Sequence, residues 1–269
     1  MKYINIFLLF FFSSSIAVSQ SSFYNEIGKN RIQYESFRWK VIYTNNFEIY
    51  FNNNSDKIAE IASDHLEKNF LSLTSYVGHQ PFKKTKVFIF NSEKDLNQSN
   101  IGINETDEFL NTNLNFNKKI QFKIAFNNNL NVFKKNLDYE FSRVLISDLM
   151  KGNISFSKRF GKVSFTSIPN WFTDGAAKYL AYDWDIEMDN IIRDYFLTQN
   201  KKKIKNITED QSGYIGQSIW NYISITYGKN TISNIINMAK IIRNPEKAIS
   251  SSLGLSFDKL IMNWSDYYY

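Results

Sequence analysis

The sequence predicts an α+β fold in which a short mixed sheet precedes a helical half. Runs of β-branched and aromatic residues typical of strands lie between residues 38 and 126, and apolar residues recur at helical spacing from residue 130 onward. No repeat of fixed period interrupts this order, so a strand-rich part (35–129) is followed by a helical part (130–269). With 269 residues, 43% of them hydrophobic, the chain can bury a sizeable core in one domain.

The first predicted elements are a hairpin and a long helix. Residues 38–51 carry β-branched and aromatic side chains on both sides of the polar break 44–46, which indicates two successive strands. Apolar residues then recur every three or four positions over 56–77, which predicts a helix. Ser55 or Asp56 is the expected N-cap of this helix, and Gly78 is the expected stop.

Two further strands and a connection complete the predicted strand-rich part. Residues 86–90 (KVFIF) form a short apolar run, and residues 120–126 (IQFKIAF) alternate as in a half-buried strand. The Asn-rich stretch between them, 91–117, is predicted to be a long surface connection.

The remaining sequence reads as successive helices. The first begins near Leu130 and ends near Gly152, a loop follows over 153–168, and Pro169 marks the start of a helix over 170–182. The same apolar spacing predicts five more helices, over 188–199, 216–227, 232–243, 246–252 and 257–268.

The N-terminal residues are typical of a secretory signal peptide. Lys2 precedes an apolar stretch over 4–12, and residues 17–19 (AVS) offer a small-x-small cleavage site. We therefore expect residues 1–19 to be removed and residues 20–269 to form the exported protein. The apolar stretch is short for a membrane span, which makes an uncleaved anchor the weaker alternative, and no other segment is long enough to be a transmembrane anchor.

Charge and cysteine content narrow the possible functions. The formal net charge of +6 is a modest basic excess and does not indicate nucleic-acid binding. Cysteine is absent, so the chain can form neither disulfides nor a thiolate metal site.

Two short segments in the helical half have the spacing of a zinc peptidase site. Residues 139–143 (YEFSR) stand where H-E-x-x-H would stand, and residues 171–179 (WFTDGAAKY) stand where W-x-x-E-G-x-A-x-Y would follow. In this alignment Tyr139 and Arg143 replace the two histidines, Asp174 replaces the third ligand, and Glu140 retains the position of the general base.

These replacements remove the ligands that zinc needs. The phenol of Tyr139 stays protonated near neutral pH, and the permanent positive charge of Arg143 repels a divalent cation. Asp174 is one methylene shorter than glutamate, and Glu140 has no metal-activated water to act on. His65 and His79 lie upstream and not at ligand spacing, so they are expected to be ordinary polar residues. We therefore expect no bound metal and no cofactor.

A salt bridge is the expected substitute for the metal. We predict that the Arg143 guanidinium bridges to Asp174 on the following helix, with Glu140 as a second acceptor. In the alternative arrangement Arg143 points to solvent and Asp174 pairs with Lys178, four residues later.

At these residues the chain resembles the gluzincin-type, zinc aminopeptidase-like peptidases. It is most similar to a bacterial envelope branch in which an exported peptidase-like domain precedes a TolB-like β-propeller. The resemblance lies in residues 171–195 (WFTDGAAKYLAYDWDIEMDNIIRDY), 216–227 (GQSIWNYISITY) and 241–264, and it covers roughly 35–269. It implies a metallopeptidase-like fold with a degenerate metal site. The sequence ends at Tyr269 without a propeller, so we expect either a domain cut from a longer chain or a stand-alone form.

Three hypotheses for function follow. The first is a catalytically inactive peptidase-like domain that binds an envelope protein or peptide, in the periplasm or at the outer membrane or cell surface. The second is an active peptidase, with or without a metal, that uses Glu140. The third is a purely structural scaffold domain.

Overall fold

A four-stranded mixed sheet and a series of helices make up the described part of the chain. The computed structural model describes residues 36–52, 54–99, 120–151, 168–182, 184–198 and 209–269. These residues lie almost entirely in one unit, Ser36–Leu96 with Asn115–Tyr269. The predicted signal peptide (1–19), nearly all of the loop over 153–168 and residues 100–117 of the predicted connection lie outside the described residues. The predicted α+β class is confirmed.

The sheet has the order β1-β2-β3-β4. Strands β1 and β2 pair antiparallel around the turn at 44–46, as the predicted hairpin requires. Strand β2 pairs parallel with β3, and β3 pairs parallel with β4, so the sheet is mixed as predicted. The bounds of the strands are Lys40–Tyr43 (β1), Phe47–Phe51 (β2), Thr85–Phe90 (β3) and Gln121–Ala125 (β4).

The helices follow the predicted order with two differences. A short helix lies inside the predicted surface connection, and the helix expected to begin at residue 216 begins at Glu209. In chain order the helices are Asp56–Val77 (α1), Glu93–Gln98 (α2), Leu130–Lys151 (α3), Asn170–Ala181 (α4), Ile186–Thr198 (α5), Glu209–Tyr227 (α6), Thr231–Ile242 (α7), Pro245–Leu253 (α8) and Phe257–Tyr268 (α9).

The two ends of α1 can be compared with the residues predicted to start and stop this helix. Gly78 follows the last turn with φ of +71°, a left-handed conformation that glycine adopts without strain. Ser55 occupies the N-cap position, but its hydroxyl donates to the Asn91 side chain and does not cap the helix. The predicted bounds of α1 are therefore confirmed, although Ser55 stabilises a contact to the end of β3.

One face of the sheet packs on α1 and α3. Alternate residues of β2 and β3, including Phe47, Ile49 and Val87, are fully buried on this face. The ring of Phe47 lies 5.8 Å from that of Phe70 on α1 and 5.0 Å from that of Phe141 on α3. Phe141 lies inside the segment 139–143, so this core fixes the orientation of that segment.

Helices α4 and α6 cross with their backbones in direct contact. A Cβ atom added to Gly216 would lie 2.0 Å from the carbonyl oxygen of Trp171, and one added to Gly175 would lie 2.5 Å from the Gly216 backbone. The Trp220 indole donates to the Phe172 carbonyl at 2.9 Å across the same interface. The glycine at residue 216, taken from the sequence as a helix start, lies instead inside α6, at the point of closest approach to α4.

Candidate functional site

The candidate site lies between α3 and α4, with α6 beside it. Residues spaced three or four apart share one face of a helix, so Tyr139, Glu140 and Arg143 project from one side of α3. Asp174 and Lys178 are likewise four apart on α4. We call these five residues the α3–α4 cluster, and it contains all four of the predicted site residues.

The two helices are joined by a hydrogen bond between Tyr139 and Asp174. The Tyr139 hydroxyl donates to the Asp174 carboxylate, and both side chains are partly buried. Burial raises the pKa of the Tyr139 phenol well above its ordinary value, and the hydrogen bond to Asp174 raises it further. The phenol therefore remains a donor at neutral pH.

Arg143 pairs with Glu140, and the predicted bridge from Arg143 to Asp174 is wrong. Its guanidinium nitrogen lies 3.0 and 3.1 Å from the two Glu140 oxygens. In the part of the chain that the structure describes, no ion pair joins Arg143 to Asp174. Glu140 is one helical turn away on the same helix, whereas Asp174 already accepts from Tyr139. Burial raises the pKa of Glu140, and the nearby Arg143 charge opposes that rise.

The alternative arrangement is correct in only one respect. The Arg143 side chain is 51% exposed, so it does reach solvent. However, Lys178 is not ion-paired with Asp174 among the described residues. Its ammonium instead lies 5.5 Å from the Tyr139 ring centre and 5.1 Å from that of Tyr214 on α6.

The Tyr139 ring is contacted by two cations. The Arg143 guanidinium lies 5.6 Å from its centre, a distance similar to that of Lys178. Gly213 on α6 leaves room for this arrangement, since a Cβ there would lie 2.6 Å from Lys178 Cε and 2.8 Å from Asp174 Oδ2. Two acids and two bases thus surround one phenol with no net formal charge.

Sequence reasoning missed a second phenol beside this cluster. Tyr182 donates to Asn136 Oδ1 at 2.6 Å, and its ring centre lies 5.8 Å from that of Tyr139. Burial raises the pKa of Tyr182 to about 12, and the carboxylates of Glu140 and Asp174 add to the shift. Tyr182 lies eight residues after Asp174, so helical spacing alone could have placed it on the same face.

These residues do not fit a zinc ion. A neutral phenol is a much weaker zinc ligand than a thiolate or an imidazole, and a guanidinium repels a divalent cation. Within the described ranges no group of three or more His, Asp and Glu side chains is placed to hold a metal. What the arrangement can do is link α3 to α4 and present a half-exposed cation, Arg143.

The two histidines, His65 on α1 and His79 in the loop that follows it, form polar contacts to α3. His65 Nε2 lies 3.0 Å from Asp138 Oδ2, and Asn69 donates to the same carboxylate at 3.0 and 3.1 Å. His79 Nε2 lies 2.6 Å from Asp148 Oδ2. Both imidazole side chains are 16% exposed, which confirms them as partly buried polar residues away from the α3–α4 cluster.

Searches by similarity leave the family open. No protein-family model matches the chain, and no curated protein matches it at a significant level.

Within the described ranges, no helix has both the length and the apolar character needed to cross a bilayer.

Proposed function

We propose that this chain is an exported, catalytically inactive peptidase-like domain of the bacterial cell envelope, of gluzincin type, that binds a protein or peptide. The observation that carries the proposal is the contact between Tyr139 on α3 and Asp174 on α4. In a gluzincin both positions are zinc ligands, so they must converge from two helices on one point. Their convergence on each other supports the same helix arrangement without the metal.

The remaining residues of the cluster support the loss of peptidase chemistry. Arg143 contacts both oxygens of Glu140, the residue that would otherwise take a proton from a metal-bound water. The positive charge of Arg143 also opposes metal binding. A domain that retains a peptidase arrangement without these functions can still hold an extended peptide, which is the role we propose.

Restoring the ligands tests the fold and the loss of chemistry together. The triple variant Tyr139→His/Arg143→His/Asp174→Glu recreates the full ligand set beside Glu140. We expect it to bind stoichiometric zinc by elemental analysis after dialysis, whereas the unaltered chain binds none. The matched control, Tyr139→His/Arg143→Ala/Asp174→Glu, lacks one imidazole and should bind zinc far more weakly. A folded triple variant without zinc would refute the gluzincin arrangement.

Peptide cleavage separates the active-enzyme hypothesis from the binding hypothesis. The unaltered chain should leave a mixed fluorogenic peptide library intact, with or without a chelator. Cleavage that Glu140→Gln abolishes would establish a peptidase and overturn the proposal.

Partner binding is tested by crosslinking at the cluster. A photocrosslinker placed at Arg143 should capture a specific envelope protein or peptide, and one placed at Lys247 on α8 should not. Equal yields at the two positions would favour the scaffold hypothesis. Fractionation of cells that produce the chain tests the predicted export.

A further inference from the structure

Two loops meet at one end of the sheet. The turn between β1 and β2 and the loop between α1 and β3 lie side by side, because Lys84 Nζ donates to the Thr44 carbonyl at 2.6 Å. The Thr85 amide also donates to the Asn46 carbonyl at 2.9 Å. These contacts bring two aromatic and two basic side chains to the same end, and we call them the basic-aromatic tip: Tyr43, Phe82, Lys83 and Lys84.

The aromatic side chains of the tip project into solvent. Phe82 is fully exposed, at 101%, and Tyr43 is 66% exposed. Single exposed apolar side chains are common on protein surfaces, so these rings are of interest only because they lie at the same end of the sheet as two lysines.

The positive charges of the tip are only partly balanced by nearby carboxylates. Lys84 donates to a carbonyl, and across the described ranges no carboxylate forms an ion pair with Lys83 or Lys84. Two carboxylates lie near Lys84, but Glu48 pairs with Lys86 and Glu67 accepts from the Asn46 amide. The end of the sheet therefore presents a positive charge to solvent.

A third lysine extends this charge. Lys229, in the turn between α6 and α7, is exposed, and its ammonium lies 4.1 Å from the ring centre of Tyr76 in the last turn of α1. The loop that carries Phe82 begins directly after that turn. Exposed rings at the same end of the sheet as lysines that form no ion pair among the described residues match the chemistry of an anionic lipid surface, in which rings enter the headgroup region and ammonium groups meet phosphates.

We propose that the basic-aromatic tip attaches this domain peripherally to a membrane that carries anionic lipids. A lipid surface fits better than a protein partner because the exposed apolar groups of the tip are two rings on separate loops. Specific protein interfaces need a contiguous surface of roughly 800 Å² on each partner, which two rings on separate loops do not supply. The proposal does not depend on the function of the α3–α4 cluster.

The absence of cysteine allows a direct test on the full chain. A single Gln80→Cys variant places an environment-sensitive fluorophore two residues before Phe82 and leaves the tip intact. A Leu197→Cys variant carries the same label on α5, where the side chain is also exposed. We expect phosphatidylcholine vesicles containing phosphatidylglycerol to shift the Gln80 label to the blue, and brominated acyl chains to quench it. Vesicles of phosphatidylcholine alone, or the label at Leu197, should give neither effect.

Variants of the Gln80-labelled chain then assign the effect to the tip. Phe82→Ala should abolish quenching by brominated lipid, and Lys83→Ala should weaken binding about fivefold, since each lysine near an anionic surface contributes roughly 1 kcal/mol. Lys83→Glu/Lys84→Glu should weaken it by roughly thirtyfold or more. The matched double reversal Lys247→Glu/Lys259→Glu, on α8 and α9, should have much less effect. Thermal melting of each variant verifies that it is folded.

Each contrary result overturns the proposal. An unchanged Gln80 label, equal responses at Gln80 and Leu197, or folded tip variants that bind as the unaltered chain does would each exclude attachment through the tip. A protein crosslinked from Gln80 in lipid-free envelope extract, without any vesicle response, would assign the tip to a protein partner instead.

Discussion

Removing one oxygen atom tests the link between α3 and α4. Tyr139→Phe keeps the aromatic ring and its two neighbouring cations, and it deletes only the donor to Asp174. A hydrogen bond to a charged group contributes about 1.5–3 kcal/mol. Because both side chains are only partly buried, water replaces part of the lost interaction, and we expect the free energy of unfolding to fall by about 2 kcal/mol.

Urea unfolding at neutral pH, followed by circular dichroism, measures this loss. With a denaturant slope of about 2 kcal/mol/M, the midpoint should fall by about 1 M at an unchanged slope. Tyr182→Phe is the matched control, since it removes a phenol that donates to the neutral side chain of Asn136. That hydrogen bond should contribute only about 1 kcal/mol.

A double-mutant cycle isolates the pair. Combining Tyr139→Phe with Asp174→Asn should give a coupling energy of about 1 kcal/mol or more, because the two residues are in direct contact. The reasoning fails if the cycle shows no coupling, or if Tyr139→Phe costs no more than Tyr182→Phe.

Three further predictions use the same unfolding assay. Gly216→Ala places a Cβ 2.0 Å from a carbonyl oxygen of the facing helix and should lower the free energy of unfolding by about 3 kcal/mol or more. Gly254→Ala, at a φ of +70° but in open space, should lower it by about 1 kcal/mol. Equal losses would contradict the close crossing of the two helices. The free energy of unfolding should fall as pH rises from about 10 through 12, because Tyr182 ionises near pH 10 when unfolded and its pKa is about 12 when folded. Tyr182→Phe should make that fall less steep. An unchanged slope of the free energy of unfolding against pH would contradict its assignment to Tyr182. Asp138→Ala removes an acceptor that two side chains of α1 share and should cost about 2 kcal/mol, more than Asp148→Ala, which has one such contact; the reverse order would be unexpected.

Elements with a strong local signal could be predicted from the sequence. Helix α1 was predicted with its observed bounds, Asp56–Val77, because its apolar spacing is regular and Gly78 ends it with a left-handed φ. The hairpin at 44–46 was predicted because a polar break separates two β-branched runs. The helix α4 begins after Pro169 as expected, since proline favours the first turn.

Elements without such a signal were missed. The short helix Glu93–Gln98 contains a single apolar residue, Leu96, so no apolar spacing marks it. The predicted start of α6 lies seven residues too late because Gly216 was interpreted as the beginning of the helix. Glycine in a helix can instead permit close contact with another helix, and only the three-dimensional crossing distinguishes the two roles.

The four residues of the candidate site lie together, but their contacts differ in part from those predicted. Helical spacing brought Tyr139, Glu140, Arg143 and Asp174 to the same region, as the structure describes. Helical spacing does not determine which side chain donates a hydrogen bond to Asp174. The Tyr139 phenol lies toward α4 and donates to Asp174. Arg143 pairs instead with Glu140, which lies one turn away on its own helix.

The interface between α1 and α3 has a practical consequence for spectroscopy. The whole chain contains only two imidazoles, and each meets an aspartate across that single contact. In a proton NMR spectrum, their two pairs of ring resonances therefore report on the packing of the long helix α1 against α3. Any ligand, membrane or partner that weakens this packing should shift the imidazole resonances, so no added probe is needed.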